Sequence, residues 1–286
     1  MEYKNSLEQI KELLWSTWDT KEIGDSEFNI IKSKLKQLYE QSNDPECLAI
    51  ISELHIHKSN SNKRDAKRYA LEGLKQDCNS TFMHDNYNIA SNGVWVDFIK
   101  NNHNDIIEYY YDFIKDNPDV FIARIILVEN LIDNYRFDEA NIEIEKALKL
   151  ETEKTYLMEI YKGEILYKKG KIDEAIELWN KICDKNKDNY KCFISIANQY
   201  ANFARYKEAI EFYKIAFDMQ EAPRKLDSLV AMVKIFEIIK DYKSALEVTN
   251  FILKTYESDY NITDGEDLKP YLEDKRKFEY LISENV

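Results

Sequence analysis

The chain is poor in the residues that punctuate a fold. Six glycines and four prolines in 286 residues fall far below ordinary usage of roughly 7% and 5%. Tight turns are therefore scarce. The glycines are too scattered for a phosphate-cradling loop, a dinucleotide fingerprint or a nucleophile elbow. Four cysteines (Cys47, Cys78, Cys183, Cys192) show no paired spacing. Reduced thiols in a cytoplasmic setting are the expectation, and a disulfide framework is not. No apolar run approaches the ~20 residues that cross a bilayer, and the N-terminus lacks the charged-then-apolar pattern of a secretion signal. With helix-breakers this rare and 44% apolar against 33% charged residues, the chain reads as folded and all-α.

Positive charge is also in deficit. The formal net charge is −13, with 12 basic against 14 acidic residues in the first 80 and 28 against 39 in the rest. A long-range negative field disfavours nucleic-acid backbones and anionic membranes, although a local basic groove inside an acidic whole is compatible with it. Metal sites find no support either. His55 and His57 at i, i+2 point about 200° apart on a helix, and His84 and His103 have no acidic partner at ligand spacing. The stretch from Asp259 to Gly265 glances at a calcium loop. Its glycine falls one place late, and Pro270 stands where the bidentate glutamate belongs. No metal, cofactor or catalytic constellation is expected. Cys183 and Cys192, with eight residues between them, read as partly buried thiols.

What the chain does have is a repeat. Phe137-Asp-Glu-Ala140, Ile172-Asp-Glu-Ala175, Tyr206-Lys-Glu-Ala209 and Tyr242-Lys-Ser-Ala245 place an apolar or aromatic residue three before an alanine. Four residues on come Ile144, Trp179, Tyr213 and Thr249, and three beyond those Ala147, Ile182, Ala216 and Ile252. Positions i, i+4 and i+7 share one side of a helix, so each unit presents an apolar seam. A weaker copy begins at Ile106, with Tyr110 and Phe113, and another at Ala66, with Ala70 and Gly73. A period near 34 with two helices per period marks a stacked helical array.

On these residues the chain resembles the tetratricopeptide repeat family. The family's pattern of small, tyrosine-like, alanine, aromatic, small and proline residues reads here Gly163, Leu166, Ala175, Trp179, Ile182 and Lys187. The next unit reads Ala197, Tyr200, Ala209, Tyr213, Ala216 and Glu221. The match covers residues 121–255 well, 84–120 less well, and fades before about 80. The family's early tryptophan is missing throughout, and its proline survives only at Pro118. The resemblance implies a right-handed superhelical solenoid of antiparallel helix pairs. Capping helices are expected at 1–43, a divergent repeat at 44–83, four to five repeats over 84–255, and an acidic loop with a last helix over 256–286. Leu7, Ile10, Leu13, Leu14 and Trp18 form the first capping stripe, and Phe28, Ile31, Leu35 and Leu38 the second. Gly163 is expected to face Ala175 where two helices cross, and Gly170 to end a helix in the left-handed conformation.

The resemblance also implies that the first helices line a concave groove for a peptide or protein segment. The aligned positions are Asn88, Asn92, Trp95, Glu129, Asp133, Glu164, Tyr167, Lys168, Lys191, Asn198, Asn202, Lys234 and Glu237. Some relatives clamp a chaperone's terminal carboxylate with a lysine four residues before an asparagine. Here Ile194 precedes Asn198 and Ile160 precedes Glu164, so that clamp is absent. The leading expectation is a protein-binding scaffold without enzymatic activity. A receptor for a short signalling peptide and an enzyme or accessory subunit without a recognisable motif are the alternatives, and self-association is left open.

Overall fold

The computed structural model describes residues 7–8, 10–11, 25–58, 63–92, 103–150 and 152–284. They form fourteen α-helices and no strand among the described residues: α1 (Asp25–Ser42), α2 (Glu46–Lys58), α3 (Lys63–Leu74), α4 (Thr81–Asn92), α5 (His103–Asp116), α6 (Phe121–Asp133), α7 (Phe137–Ala147), α8 (Tyr156–Lys168), α9 (Ile172–Lys185), α10 (Tyr190–Asn202), α11 (Tyr206–Asp218), α12 (Asp227–Ile238), α13 (Tyr242–Tyr260) and α14 (Lys269–Glu284). The chain divides into two compact units, Met1–Thr155 and Tyr156–Val286. Within each, every helix packs on its neighbour in sequence, and first helices also touch the next first helix, α2 on α4 and α4 on α6, then α8 on α10. That pairing is the tetratricopeptide-like solenoid arrangement, all-α and built from helix hairpins.

The repeated seam is where the core lies. Ala140, Ala175, Ala209 and Ala245 are fully buried, as are Ile144, Trp179, Ala147, Ile182 and Ala216, while Tyr213, Thr249 and Ile252 are buried to within a few per cent. Small side chains let the second helix of each hairpin approach the first, and the larger residue one turn on fills the space beside it. The close approach at Gly163 is to a different residue from the expected Ala175. A Cβ at 163 would come within 2.7 Å of Cδ1 and 2.9 Å of Cε2 of the Trp179 indole. The bulk of the indole, one turn along α9, takes the space beside the glycine.

How so few glycines suffice is visible at the turns. Tyr135, Gly170, Ala204 and Lys240 occupy equivalent positions and all have positive φ, between 56° and 81°. At each, the next residue's N–H reaches back to a carbonyl five residues earlier, Arg136 to Leu131, Lys171 to Leu166, Arg205 to Tyr200 and Asp241 to Phe236, over 2.8–2.9 Å. This is the bond that closes a helix on a left-handed residue. Three of the four turns make it without glycine, against a left-handed preference of roughly 1–2 kcal/mol. The next helix then starts with a short-range clasp: Arg136 with Glu139 (2.6 Å), Lys171 with Glu174 (3.1 Å), Arg205 with Glu208, and Asp241 with Ser244. Glu139, Glu174 and Glu208 sit in the first turn, where an acid favours the helix dipole, and each also pairs with the preceding base.

The ends differ from expectation in part. Phe28, Ile31 and Leu35 on α1 are buried with Leu7 and Ile10, whereas Leu13, Leu14 and Trp18 lie outside the described residues. Near the C-terminus, the stretch expected to be loop from 256 remains helical through Tyr260, and Asn261 ends α13 at φ 59°. The physical reason is Asp259. Its carboxylate accepts from Arg224 Nε at 2.8 Å, Nη2 at 2.9 Å and the Arg224 backbone N–H at 3.0 Å. Those bonds hold it well below the usual carboxylate range and fix the last turn of the helix. The last helix spans Lys269–Glu284, with Phe278 fully buried.

In the first unit α2 buries two titratable groups. Burial pushes Glu53 up to about 7 and, with help from the nearby Lys32 charge, His55 down to about 4. A carboxyl whose folded pKa is raised contributes its full stability below the unfolded value of about 4.3, and that contribution is lost as pH rises through the folded value. Glu53→Gln is therefore expected to gain on the order of 1–3 kcal/mol over wild type at pH 8 and almost nothing at pH 4.5. Urea unfolding of both proteins at the two pH values checks it. An equal gain at both would show that the carboxylate charge is not the cause.

Candidate functional site

The sequence-derived groove positions separate into distinct groups. In the first unit Asn88 on α4 accepts from Asn130 Nδ2 at 3.2 Å, and Asn130 is itself buried and bonded to the Ile126 carbonyl. Asn130 is a polar tie between first helices that the repeat alignment passed over, because it falls in an otherwise apolar helix. Glu129 is half-buried and Asp133 exposed on α6, and both have polar or electrostatic partners. Asn92 is the last residue of α4, and Trp95 lies outside the described residues.

In the second unit, the residues beside Gly163 are occupied with one another. Glu164 and Lys168 form an i, i+4 ion pair at 3.1 Å, both mostly covered. Tyr167 is stacked on Phe203, ring centroids 3.9 Å apart, and lies nearly parallel to Trp179 at 5.9 Å. These three read as packing as much as surface. Glu237 on α12 pairs with Lys277 of α14, so the last helix holds it.

Helix α10 differs. Lys191, Asn198 and Asn202 are exposed and Ser195 half-buried. At i, i+4, i+7 and i+11 they form one polar stripe. Opposite it, Cys192, Ile196, Ala197 and Tyr200 are buried. Asn198 is not wholly open, since Tyr213 donates its hydroxyl proton to Asn198 Oδ1 over 2.5 Å. That bond orients the amide so that its NH2 group is the end left for a ligand. Asn202 keeps both donor and acceptor, and Lys234 stands exposed on α12. Ser195 lies on this surface and the buried Tyr213 supports it through its hydroxyl, and the sequence alone marks neither. Tyr213 was already assigned to the seam, and a serine in a helix gives no signal of its own.

The remaining candidates for chemistry are packing groups. His84 is buried, with Nε2 3.0 Å from the Cys78 carbonyl and Nδ1 3.2 Å from the Tyr110 hydroxyl. Cys183 and Cys192 are free thiols in hydrogen-bond contact; that contact, then burial, pushes the Cys183 thiol up. Among the described residues no group of three or more His, Cys, Asp or Glu side chains is placed to hold a metal ion. No described helix is long and apolar enough to cross a membrane.

No protein-family model matches the chain. Over 119 residues, 42% of its length, it is 29% identical to a TPR repeat-containing protein of Methanocaldococcus jannaschii, of which it spans 20%. Among solved structures it is similar to a tetratricopeptide repeat protein from Parabacteroides merdae (13% identity, TM-score 0.47, covering 94% of this chain and 99% of the other). It is also similar to yeast Tom70 (10%, 0.47, 90% and 59%) and to the human IFIT1 dimer with m7Gppp-AAAA (17%, 0.41, 79% and 55%). The chain thus spans a fifth of the archaeal relative and just over half of the human one.

Proposed function

We propose that the chain is a non-catalytic binding scaffold that holds a peptide or protein segment against the polar stripe of α10. The observation carrying this reading is the exposed pair Asn198 and Asn202, one turn apart above a fully packed helix face. An extended segment presents alternating backbone N–H and C=O groups, and primary amides both donate and accept without a charge preference. Lys191 at one end of the stripe, with Lys234 on α12, adds attraction for a carboxylate side chain or terminus. The overall acidic balance makes a polypeptide the better fit than a nucleic-acid backbone. The carboxylate clamp stays outside the reading, because Ile194 and Ile160 supply no lysine.

Each amide–backbone hydrogen bond contributes about 0.5–1.5 kcal/mol net. Removing both side chains in Asn198→Ala/Asn202→Ala is therefore expected to weaken the bound segment roughly tenfold. Capture from lysate of the source cells, with wild type and variant side by side, reads that difference.

A further inference from the structure

The acidic whole contains a local exception. Residues 31–75 carry nine basic side chains against six acidic ones, and helices α1, α2 and α3 gather several of the nine together. Lys32 and Lys36, one turn apart on α1, and Arg68 on α3 all stand over the ring of Tyr69, at 5.8, 5.9 and 4.7 Å. Lys32 also lies 5.4 Å from the centre of Phe28, with Lys58 from the end of α2 at 5.9 Å, and Lys67 stands 5.1 Å over Tyr87. Beneath them His55 is 1% exposed, edge-on to Phe28 and stacked on Tyr69, and neither ring nitrogen has a hydrogen-bond partner.

The acids nearby leave most of this charge uncompensated. Asp65 pairs with Arg68 at 3.0 Å. Glu72 is exposed one turn further along α3. Among the described residues no carboxylate lies within ion-pair distance of Lys32, Lys36 or Lys67. Cations crowded round one ring repel each other. The ring face returns only about 0.5–1 kcal/mol for each at exposed sites. An anion arriving at the cluster relieves that repulsion.

We propose that this cluster is a docking site for an acidic peptide segment that sets two or more carboxylates against Lys32 and Lys36. The proposal is independent of the α10 stripe. Two features select a peptide over a nucleic-acid strand. The rings that would stack bases are closed, Phe28 and Tyr69 being 7% and 5% exposed, so the sequence-tolerant stacking that holds single strands has no platform. A polyanion running beyond the patch would meet the field of a chain at −13, whereas two or three neighbouring carboxylates of a peptide span no more than about a Debye length of 8–10 Å.

The test is fluorescence anisotropy of a labelled hexaglutamate peptide at about 50 mM salt, where surface charge is weakly screened. Wild type is expected to bind it. Lys32→Glu/Lys36→Glu should bind at least tenfold more weakly, while Lys214→Glu/Lys254→Glu, with the same net change on exposed lysines of the second unit, stays within twofold. The single Lys36→Gln variant, exposed and structurally mild, should lose about threefold and keep the wild-type melting transition. Absence of binding by wild type, equal loss in both double variants, or tighter binding of a hexathymidine strand than of the peptide would each overturn the proposal.

Discussion

Gly163→Leu is expected to destabilise the unit Tyr156–Val286 by about 3 kcal/mol or more, the upper end for overpacking a well-filled core. The reason is the rigidity of what it would strike. Trp179 is fully buried, and its indole N–H donates to the Ile160 carbonyl at 3.1 Å. Tyr200 packs edge-on at 5.2 Å and Tyr167 lies parallel on the other side. The ring cannot swing away without breaking its bond and displacing two aromatics. The discriminating variant is Gly163→Ala. Helix propensity alone would stabilise it by about 1 kcal/mol, but even one Cβ lands against the indole. A net loss of about 1 kcal/mol in chemical unfolding is expected. An alanine variant more stable than wild type would show that the indole has room to give.

Glu143→Ala is the second large effect, expected to cost the first unit about 3–5 kcal/mol, as for one partner removed from a buried ion pair. The Arg124 and Glu143 side chains are 9% and 2% exposed and meet at 2.8 Å. Arg124 donates from Nε and Nη2 to the Pro118 carbonyl, at 3.2 and 3.0 Å, so the pair fastens the loop before α6 to helix α7. Without the carboxylate, the guanidinium is left buried and short of a partner. Lys146, which reaches the other oxygen of Glu143 at 2.7 Å, is half exposed. Lys146→Ala should therefore cost no more than about 1 kcal/mol. Thermal unfolding of the two variants measures the contrast, and equal losses would place the stabilisation in the exposed pair instead.

The fold was legible because packing repeats. Ala175 and Trp179 recur as the same small-then-large spacing in four hairpins, and a period of two helices leaves few other ways to bury the seam. The Gly163 contact lies one helical turn further along α9 than a small-on-small crossing implies, because the Trp179 indole, not Ala175, fills the space beside it. The extent of α13 was missed because Glu257–Tyr260 is polar, and the Arg224–Asp259 clasp that orders it joins residues far apart in sequence. The candidate site was less legible than the fold. An alignment marks which positions face outward, yet says nothing of what else they touch. Glu164 and Lys168 pair with each other, Tyr167 is stacked on Phe203, and Glu237 is held by Lys277. The cation cluster around Tyr69 was hidden for a related reason, since charge counted along the chain averages over three helices that fold together.

The scaffold reading stands or falls on the exposed amides of α10, Asn198 and Asn202. Its most direct measurement is the amount of each partner captured by Asn198→Ala/Asn202→Ala relative to wild type. Glu177→Ala/Lys181→Ala, which removes an exposed pair on α9, serves as the control. A stoichiometric partner is expected to fall roughly tenfold with the asparagine variant and to be fully retained by the control. Equal recovery of every partner by the asparagine variant and wild type would contradict it.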